Sequence, residues 1–363
     1  MLNALVLSGG VALGSFEAGI CAALEAGGGP RPDWVAGASA GAVNAAIFAG
    51  NPPEQRAARL RQFWEGMAED PLPGFSLFFG APMADGPLRR AHNRAAALQS
   101  LLFGRPGLFM PRFLPEAIMG RAPSLYDLTP LRRRLPELVD FDRLNAGPLR
   151  VTLVATDVTS GKRVVFDTAR GTRIGPEHVV ASCALLPLFA PVEVEGRLLG
   201  DGGLASNAPV DLVLEEEQEV LCILAELFAA AGAPPGNLSG SLARAGDLAL
   251  GNQTQRLLEG HARLLRLRDS LHRLAALVPE ERRTEPEVAA LLAEAGPPAR
   301  AIVLRIGYRA PPDEAGAGKL FDFSRATTAD RWQAGEEALR RGLRKLAEAP
   351  APGPGLVLHD IET

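Results

Sequence analysis

Ser39 has one glycine two residues before it and another two residues after it, a spacing that is found around serine nucleophiles. Gly37, Ser39 and Gly41 fit the pattern G-x-S-x-G, which follows a short apolar run and precedes a helix-forming segment. In this pattern the glycines allow a sharp strand-to-helix reversal, and the serine oxygen is left at a helix N-terminus whose dipole favours developing negative charge. Ser39 is therefore a candidate nucleophile, although an ordinary tight turn has the same pattern.

A glycine-rich loop lies near the N-terminus, in Ser8-Gly9-Gly10-Val11-Ala12-Leu13-Gly14. Loops of this kind present backbone amides to anions. A phosphate-binding P-loop would need Lys and then Ser or Thr where this chain has Ser15 and Phe16, and the glycine spacing does not fit a dinucleotide fingerprint. The third use is an oxyanion hole, which stabilises a tetrahedral intermediate. Because neighbouring strand-to-helix turns open at the same edge of a parallel sheet, we expect this loop to face Ser39.

A serine nucleophile needs a base, and the histidines are poor candidates for it. None of the five lies in a glycine-rich or strand-end motif, and the best placed, His178, only opens a helical pattern. The others are His92, His261, His272 and His359. The alternative base is Asp201, which follows a strand-like run in Leu199-Gly200-Asp201-Gly202-Gly203. Asp-Gly is also a very common turn dipeptide, so this motif alone leaves both interpretations open.

These residues need a sheet to position them, and the apolar runs predict one. Short apolar runs, each followed by a glycine-containing turn and a helical pattern, are typical of a parallel sheet with crossover helices. The runs that predict strands are residues 4–7, 34–36, 150–155, 163–166, 192–199, 219–225 and 301–307. The expected core is therefore α/β with three layers.

Two stretches break this rhythm and are predicted to be inserts. Residues 52–124 hold apolar segments interrupted by proline and glycine, as in a lid or binding loop. The apolar side chains of this insert could line an acyl-chain pocket or pack on the sheet as core; they are Leu77, Phe78, Phe79, Leu102, Phe103, Leu108, Phe109 and Phe113.

The second insert, residues 231–300, holds one long helical pattern from 248 to 278. Its apolar positions fall at the spacing of one helical face, at Leu257, Leu258, Leu264, Leu265, Leu271, Leu274 and Val278. Arginines lie elsewhere on this helix, which fits a solvated charged face or, more sharply, a helix on a membrane surface.

Composition excludes several classes of protein. The chain has 363 residues, 47% hydrophobic content and a formal net charge of −4, so disordered tails and disulfide mini-domains are excluded. The basic residues are three lysines and otherwise arginines scattered along the chain, and with acids in excess no nucleic-acid partner is expected. Cys21, Cys183 and Cys222 lie in apolar runs and predict buried reduced thiols. No secretory signal or spanning segment is visible, so we expect a cytoplasmic protein.

Together these motifs resemble the patatin-like acyl hydrolase family. The glycine loop, the G-x-S-x-G pattern some thirty residues later, and Asp-Gly-Gly followed by Asn207 and Pro209 occur in the family's order and with similar spacing. Residues 155–162, and residues 181–187 with Phe189 and Pro191, resemble it as well. The resemblance covers about residues 4–51 and 125–225 well and the two inserts poorly.

The resemblance implies a Ser-Asp dyad, with Ser39 as nucleophile and Asp201 as the base that accepts its proton. It also assigns backbone positions: the oxyanion-hole amides of Gly9, Gly10 and Val11, the elbow glycines Gly37 and Gly41, and Gly202 and Gly203 of the Asp-Gly-Gly motif. The fold it implies is a three-layer α/β/α sandwich with a mainly parallel central sheet. No metal and no cofactor are implied.

Two positions depart from the family's pattern. Many members have a third glycine where this chain has Val11, and Arg or Lys where it has Leu13. A β-branched residue strongly disfavours the positive φ that glycine allows, so we expect one oxyanion donor to be lost or re-aimed. Losing one donor typically slows turnover about a hundredfold to a thousandfold.

The expected protein is a serine acyl hydrolase that cleaves fatty-acyl esters through an acyl-enzyme on Ser39, with an acyl-ester lipid as substrate. Two alternatives stay open: a catalytically weak protein that holds an acyl lipid or a membrane surface, and an acyltransferase using the same dyad. We expect one domain over residues 1–363, with a core of about 1–51, 125–230 and 301–347 and inserts at 52–124 and 231–300. Peripheral membrane contact remains an option, and the sequence does not fix the oligomeric state.

Overall fold

The computed structural model describes residues 1–71, 86–112, 124–216, 219–295, 299–311, 314, 316–350 and 353–363. A nine-stranded, mainly parallel sheet forms its centre, in the order β11-β10-β9-β1-β2-β5-β8-β7, with β6 paired to β5. The strands are β1 (Leu2–Leu7), β2 (Trp34–Ala38), β3 (Met110–Pro111), β4 (Tyr126–Asp127), β5 (Arg150–Asp157), β6 (Arg163–Asp167), β7 (Val192–Val194), β8 (Arg197–Asp201), β9 (Glu219–Glu226), β10 (Arg300–Gly307) and β11 (Gly355–Glu362). β3 and β4 form a separate antiparallel pair.

Helices cover both faces of the sheet. They are α1 (Gly14–Ala23), α2 (Ala40–Ala49), α3 (Pro53–Met67), α4 (Pro87–Phe103), α5 (Thr129–Leu138), α6 (Phe141–Ala146), α7 (Pro176–Ser182), α8 (Gly203–Ser206), α9 (Val210–Glu216), α10 (Leu238–Leu277), α11 (Glu280–Arg283), α12 (Pro286–Ala295) and α13 (Arg325–Glu348). This confirms the predicted three-layer α/β/α sandwich.

The strands are apolar throughout because both of their faces are buried. In β1, Leu5 and Leu7 point into the cluster that holds α1, α2 and α13, whereas Ala4 and Val6 point into the cluster under α9 and α10. Alternate side chains of a strand therefore build two separate cores. Cys21, Cys183 and Cys222 are all buried in these cores with free thiols, as predicted.

The strand predictions hold, with two differences. The run at 192–199 is two strands, because Glu195 and Gly196 both adopt positive φ, +50° and +73°, and turn the chain into the β7–β8 hairpin. The predicted core stops at residue 347 and so omits β11, which pairs in parallel with β10 along its whole length.

The long helix of the second insert is present, and its apolar face is only partly buried. α10 begins at Leu238, ten residues earlier than expected, and buries Leu258, His261 and Leu265. Leu264 and Leu271, which the spacing placed on the same helical face, are exposed. Among the described residues, no helix has the length and apolar character needed to cross a membrane.

Candidate active site

Ser39 lies at the turn between β2 and α2, in a strained backbone conformation. Its φ and ψ are +53° and −120°, a region that costs a non-glycine residue about 1–3 kcal/mol. Neighbouring groups hold it there: its amide donates to Ser182 Oγ at 3.0 Å, and its carbonyl accepts from the Cys183 thiol at 3.3 Å. The turn is thus fixed from outside, and the side chain is left at the N-terminus of α2.

The two glycines of G-x-S-x-G are needed because backbones meet there. A Cβ on Gly37 would lie 2.5 Å from the carbonyl oxygen of Gly41. A Cβ on Gly41 would lie 2.3 Å from the carbonyl oxygen of Leu7 at the end of β1. A side chain at either position would open the turn, so the packing at both positions requires glycine.

Asp201 reaches Ser39 through the register of the sheet. Ala38, the last residue of β2, pairs with Val154 of β5, and Asp201 pairs with the next residue, Ala155. β8 therefore takes the place beside β5 that β2 vacates when it turns into α2. As a consequence the Ser39 Oγ donates a hydrogen bond of 2.6 Å to Asp201 Oδ2.

The Asp201 carboxylate is buried and has a second donor. The amide of Gly203 donates to its Oδ1 at 2.7 Å. Gly202 has no room for a side chain, since a Cβ would lie 2.3 Å from the Val154 carbonyl oxygen. Burial raises the pKa of Asp201 to about 6, against the opposing effect of the hydrogen bonds from Ser39 and Gly203. The carboxylate is ionised at neutral pH and is a stronger base than an exposed aspartate.

The glycine loop faces Ser39, as expected, but its amides are not equivalent. A Cβ on Gly9 would lie 3.0 Å from Ser39 Cβ, so only glycine allows this approach. The Gly9 amide, however, donates to the Asn207 carbonyl oxygen at 3.0 Å. The amides of Gly10 and Val11 have no acceptor among the described residues. Of the three predicted donors, Gly9 thus has an engaged amide and Gly10 and Val11 have free ones, and their role in an oxyanion hole stays a prediction.

Val11 does adopt the conformation that we expected it to avoid. Its φ is +50°, and it opens a short 3₁₀ turn, Val11–Leu13. Its half-buried side chain packs against the core and lines the same cavity as Ser39. The expectation that the β-branch would force another conformation is wrong here, because packing outweighs a local cost of roughly 1–2 kcal/mol.

A buried glutamate, which sequence reasoning missed, holds the loop and the elbow together. Glu17 of α1 accepts from the Ser8 amide at 2.6 Å and from Asn44 Nδ2 at 3.2 Å. The Ser8 carbonyl in turn accepts from the Gly41 amide at 3.1 Å. Burial raises the pKa of Glu17 well above its usual range. A single acidic residue inside the apolar run Phe16-Glu17-Ala18-Gly19-Ile20 was the available signal.

Arg331 of α13, also missed, fixes the far side of the loop. Its guanidinium is fully buried, lies 2.8 Å from the carboxylate of Glu314 and donates to the Ala12 carbonyl oxygen at 3.0 Å. After the second insert the chain thus comes back to the site, where α13 supplies this contact.

A small apolar cavity opens beside Ser39. Its volume is about 40 Å³, which is space for roughly three water-sized groups. The lining residues include Val43, Phe63, Trp64, Leu108, Leu128 and Phe189.

Of the side chains proposed for an acyl pocket, Leu108 lines this cavity, and Phe109 packs behind it against Phe189, with ring centroids 5.6 Å apart. Leu102 and Phe103 are exposed. Leu77, Phe78, Phe79 and Phe113 lie outside the described residues.

The five histidines make no hydrogen bond to Ser39. The Nδ1 of His178 instead accepts from the Gly175 amide at 2.9 Å, and its ring packs edge-on against Phe166. Within the part of the chain that the structure describes, no cluster of His, Cys, Asp and Glu could hold a metal ion.

Two family models match the chain. Residues 5–214 match one described as patatin-like phospholipase, and residues 251–352 match one described as patatin phospholipase. A comparison with curated proteins gives no significant match.

Among solved structures, the chain is similar to VipD from Legionella pneumophila, at 16% identity and a TM-score of 0.43, over 95% of this chain and 67% of VipD. It is also similar to ExoU of the Pseudomonas aeruginosa type III secretion system, solved in complex with SpcU, at 18% identity and a TM-score of 0.34, over 96% of this chain and 53% of the other. This chain thus spans about two thirds and about half of these two proteins.

The first family model covers more than half of the 363 residues and includes Ser39, Asp201 and the glycine loop. This match supports a lipid hydrolase function. The chain belongs to the patatin-like phospholipase family.

Proposed function

We propose that the protein is a serine acyl hydrolase in which Ser39 is the nucleophile and Asp201 the base. The observation that carries the proposal is the 2.6 Å hydrogen bond from Ser39 Oγ to the buried carboxylate of Asp201. A serine hydroxyl is a weak nucleophile until an adjacent base takes its proton, and the pKa of about 6 suits Asp201 to that role near neutral pH.

The reaction follows from these contacts. Ser39 Oγ attacks the acyl carbonyl carbon as its proton passes to Asp201 Oδ2, and the carbonyl oxygen becomes an oxyanion. The free amides of Gly10 and Val11 are the proposed donors to it. When the intermediate collapses, the bond to the leaving alcohol breaks and Asp201 returns the proton to that oxygen. Water then gives a proton to Asp201 as its oxygen attacks the acyl carbon. When this second tetrahedral intermediate collapses, the bond to Ser39 Oγ breaks, Asp201 returns the proton to that oxygen, and the carboxylic acid leaves.

The cavity volume bears on the substrate. At about 40 Å³, the cavity formed by the described residues suits a short acyl group. We therefore expect acetyl and butyryl esters in solution to react faster than octanoyl and longer esters. Family membership and the apolar lining support an acyl-ester lipid as the physiological substrate, since Val43, Leu108 and Phe189 offer no polar group to a head group.

We also propose that residues 1–363 act as one catalytic unit, with inserts at about 52–124 and 231–300. Support comes from contacts across these boundaries: Phe63 and Trp64 of the first insert line the cavity, and Gln253 of the second accepts from the Asn207 amide beside Asp201 at 3.0 Å.

The test is hydrolysis of p-nitrophenyl esters from C2 to C16 by the wild type, Ser39→Ala and Asp201→Asn. Ser160→Ala, at an exposed turn serine, is the matched control. We expect the first two variants to lose turnover by about a thousandfold and the control to be unchanged. Undiminished hydrolysis by Ser39→Ala refutes the proposal. Ester cleavage that speeds up with added alcohol and yields the new ester would assign the same dyad to acyl transfer.

A further inference from the structure

Helix α4 buries several polar residues and exposes most of its leucines. Arg89, His92, Asn93 and Ser100 are buried, whereas Leu88, Leu98, Leu102 and Phe103 are exposed. The exposed fraction reaches 58% for Leu102 and 69% for Phe103. A helix on a globular protein normally shows the opposite arrangement, so this one is expected to have a further apolar partner.

The inverted orientation is fixed by specific contacts. Arg89 donates to Asp330 Oδ2 at 2.7 Å and to Thr327 Oγ1 at 3.1 Å, both on α13. Near the other end, Ser100 Oγ accepts from Arg105 Nε at 2.7 Å. Turning α4 to bury its leucines would leave these buried polar groups without partners, at a cost that forbids it.

The outer face forms one continuous stripe. Leu88, Ala91, Ala95, Leu98 and Leu102 follow at intervals of three and four residues, which is one side of an α-helix. A shallow groove of about 440 Å³ runs along this stripe. We call this surface the α4 stripe.

The charge around the α4 stripe favours an anionic lipid surface over a second copy of the chain. Residues 86–112 contain five arginines and neither aspartate nor glutamate, but Arg89, Arg105 and Arg112 are paired with Asp330, Glu69 and Asp127. The charge offered to a lipid surface is therefore that of Arg94, on a helix that has no acidic residue. Arg94 is exposed and Arg90 half-buried, both near the edge of the stripe. A symmetric dimer would bring like charges together, whereas lipid phosphates are complementary to them.

Helix α4 is connected to the wall of the cavity at Ser39 through Tyr126. The Tyr126 hydroxyl donates to the Leu101 carbonyl oxygen of α4 at 2.7 Å, and its ring packs on Phe109 and Phe189, with centroids 5.0 and 5.9 Å away. Phe189 lines the cavity. A lipid surface held by α4 would therefore lie beside the cavity that takes the acyl group.

We propose that the α4 stripe docks the protein on anionic lipid bilayers, with its leucines among the head groups and Arg94 on lipid phosphates. The biological reason for this docking rests on the proposed function, since docking would bring the hydrolase to its lipid substrate. The binding itself does not require Ser39.

The test is co-sedimentation with phosphatidylglycerol–phosphatidylcholine vesicles, using Ser39→Ala protein so that hydrolysis cannot alter the vesicles. Leu98→Asp combined with Leu102→Asp is expected to weaken binding by about tenfold or more. The matched control is Leu264→Asp with Leu267→Asp on α10, two leucines that are 41% and 55% exposed; it is expected to bind normally. Arg94→Glu is expected to weaken binding to anionic vesicles.

Three results would overturn the proposal: no binding of the parent protein to anionic vesicles, loss of binding in the α10 pair but not in the α4 pair, or a dimer that the α4 pair converts to monomer in sedimentation velocity. Hydrolysis of a soluble butyryl ester, measured with Ser39 intact, is expected to stay within about twofold in the α4 pair. Vesicle binding without any ester hydrolysis would refute the dyad and leave the docking surface standing.

Discussion

Replacing Asp201 by asparagine is expected to abolish activity and at the same time stabilise the fold. Turnover needs the ionised carboxylate as a base, but this carboxylate is also a buried charge. Its pKa is set by burial and by two hydrogen bonds, with no contribution from a cationic group. Asparagine keeps an oxygen to accept from the Gly203 amide, and its Nδ2 can donate to Ser39 Oγ, so both hydrogen bonds survive with one reversed. What disappears is the charge.

The magnitude follows from the pKa. A value of about 6 lies about two pH units above that of an ordinary aspartate, and each unit corresponds to about 1.4 kcal/mol. Because the pKa of Asp201 is raised in the folded state, ionisation of this carboxyl destabilises the fold. The stability of the protonated form is fully present below about pH 4 and is lost as the pH rises through 6. The wild type should therefore be less stable than Asp201→Asn by up to about 3 kcal/mol at pH 8, and the difference should vanish towards pH 4.

The assay is urea unfolding of the wild type and Asp201→Asn at pH 4, 6 and 8, followed by circular dichroism. Asp142→Asn is the control, since the Asp142 side chain is 85% exposed. Thermal melting should show the same order, with the variant higher by a few degrees at pH 8. Equal stabilities at pH 8, or a gain that does not change with pH, would refute the reasoning about a buried charge.

Three further predictions concern the same site. The kcat/KM for a soluble ester should rise about tenfold per pH unit below 6 and level off above it, because Asp201 must be ionised. A midpoint that shifts in His178→Ala would indicate that His178, and not Asp201, is the base. Glu17→Gln should keep kcat within about threefold, since a neutral amide replaces a carboxyl whose pKa is raised. Glu17→Ala should lower kcat, and it should lower the free energy of unfolding by about 1–3 kcal/mol, because the Ser8 amide loses its acceptor. Equal losses in both variants would show that the charge of Glu17 is needed. Val11→Gly should retain turnover, because glycine keeps the amide hydrogen and accepts φ +50°. A loss of about a hundredfold in kcat would show that turnover depends on the Val11 side chain and not on its amide alone.

Local patterns in the sequence predict much of this site. The elbow at Ser39 follows from two glycines between an apolar run and a helix former, and these requirements are local. Its approach to the glycine loop follows from the geometry of parallel strands. The pairing with Asp201 is different: Asp-Gly is equally typical of a turn, and the assignment of a base rests on the lack of a well-placed histidine and on the family resemblance. The register that places β8 beyond the end of β2 is a tertiary property and is absent from any local pattern.

The errors have the same origin. Val11 at φ +50° contradicts its intrinsic preference because packing against the core decides it. Gly9 loses its amide to Asn207, a residue almost two hundred positions away. On α10, the leucine spacing correctly predicts a helix but cannot say that a neighbour covers Leu265 and leaves Leu271 exposed. Periodicity identifies a face, and only the tertiary fold identifies what covers it.

Covalent labelling with a fluorophosphonate, followed by intact mass and peptide mapping, tests directly whether Ser39 is the nucleophile. We expect one adduct per chain, located on Ser39. It should be absent in Ser39→Ala, about a hundredfold slower in Asp201→Asn, and unchanged in Ser160→Ala. An adduct on another residue, or labelling of Ser39→Ala at the wild-type rate, would contradict the claim that Ser39 is the nucleophile activated by Asp201.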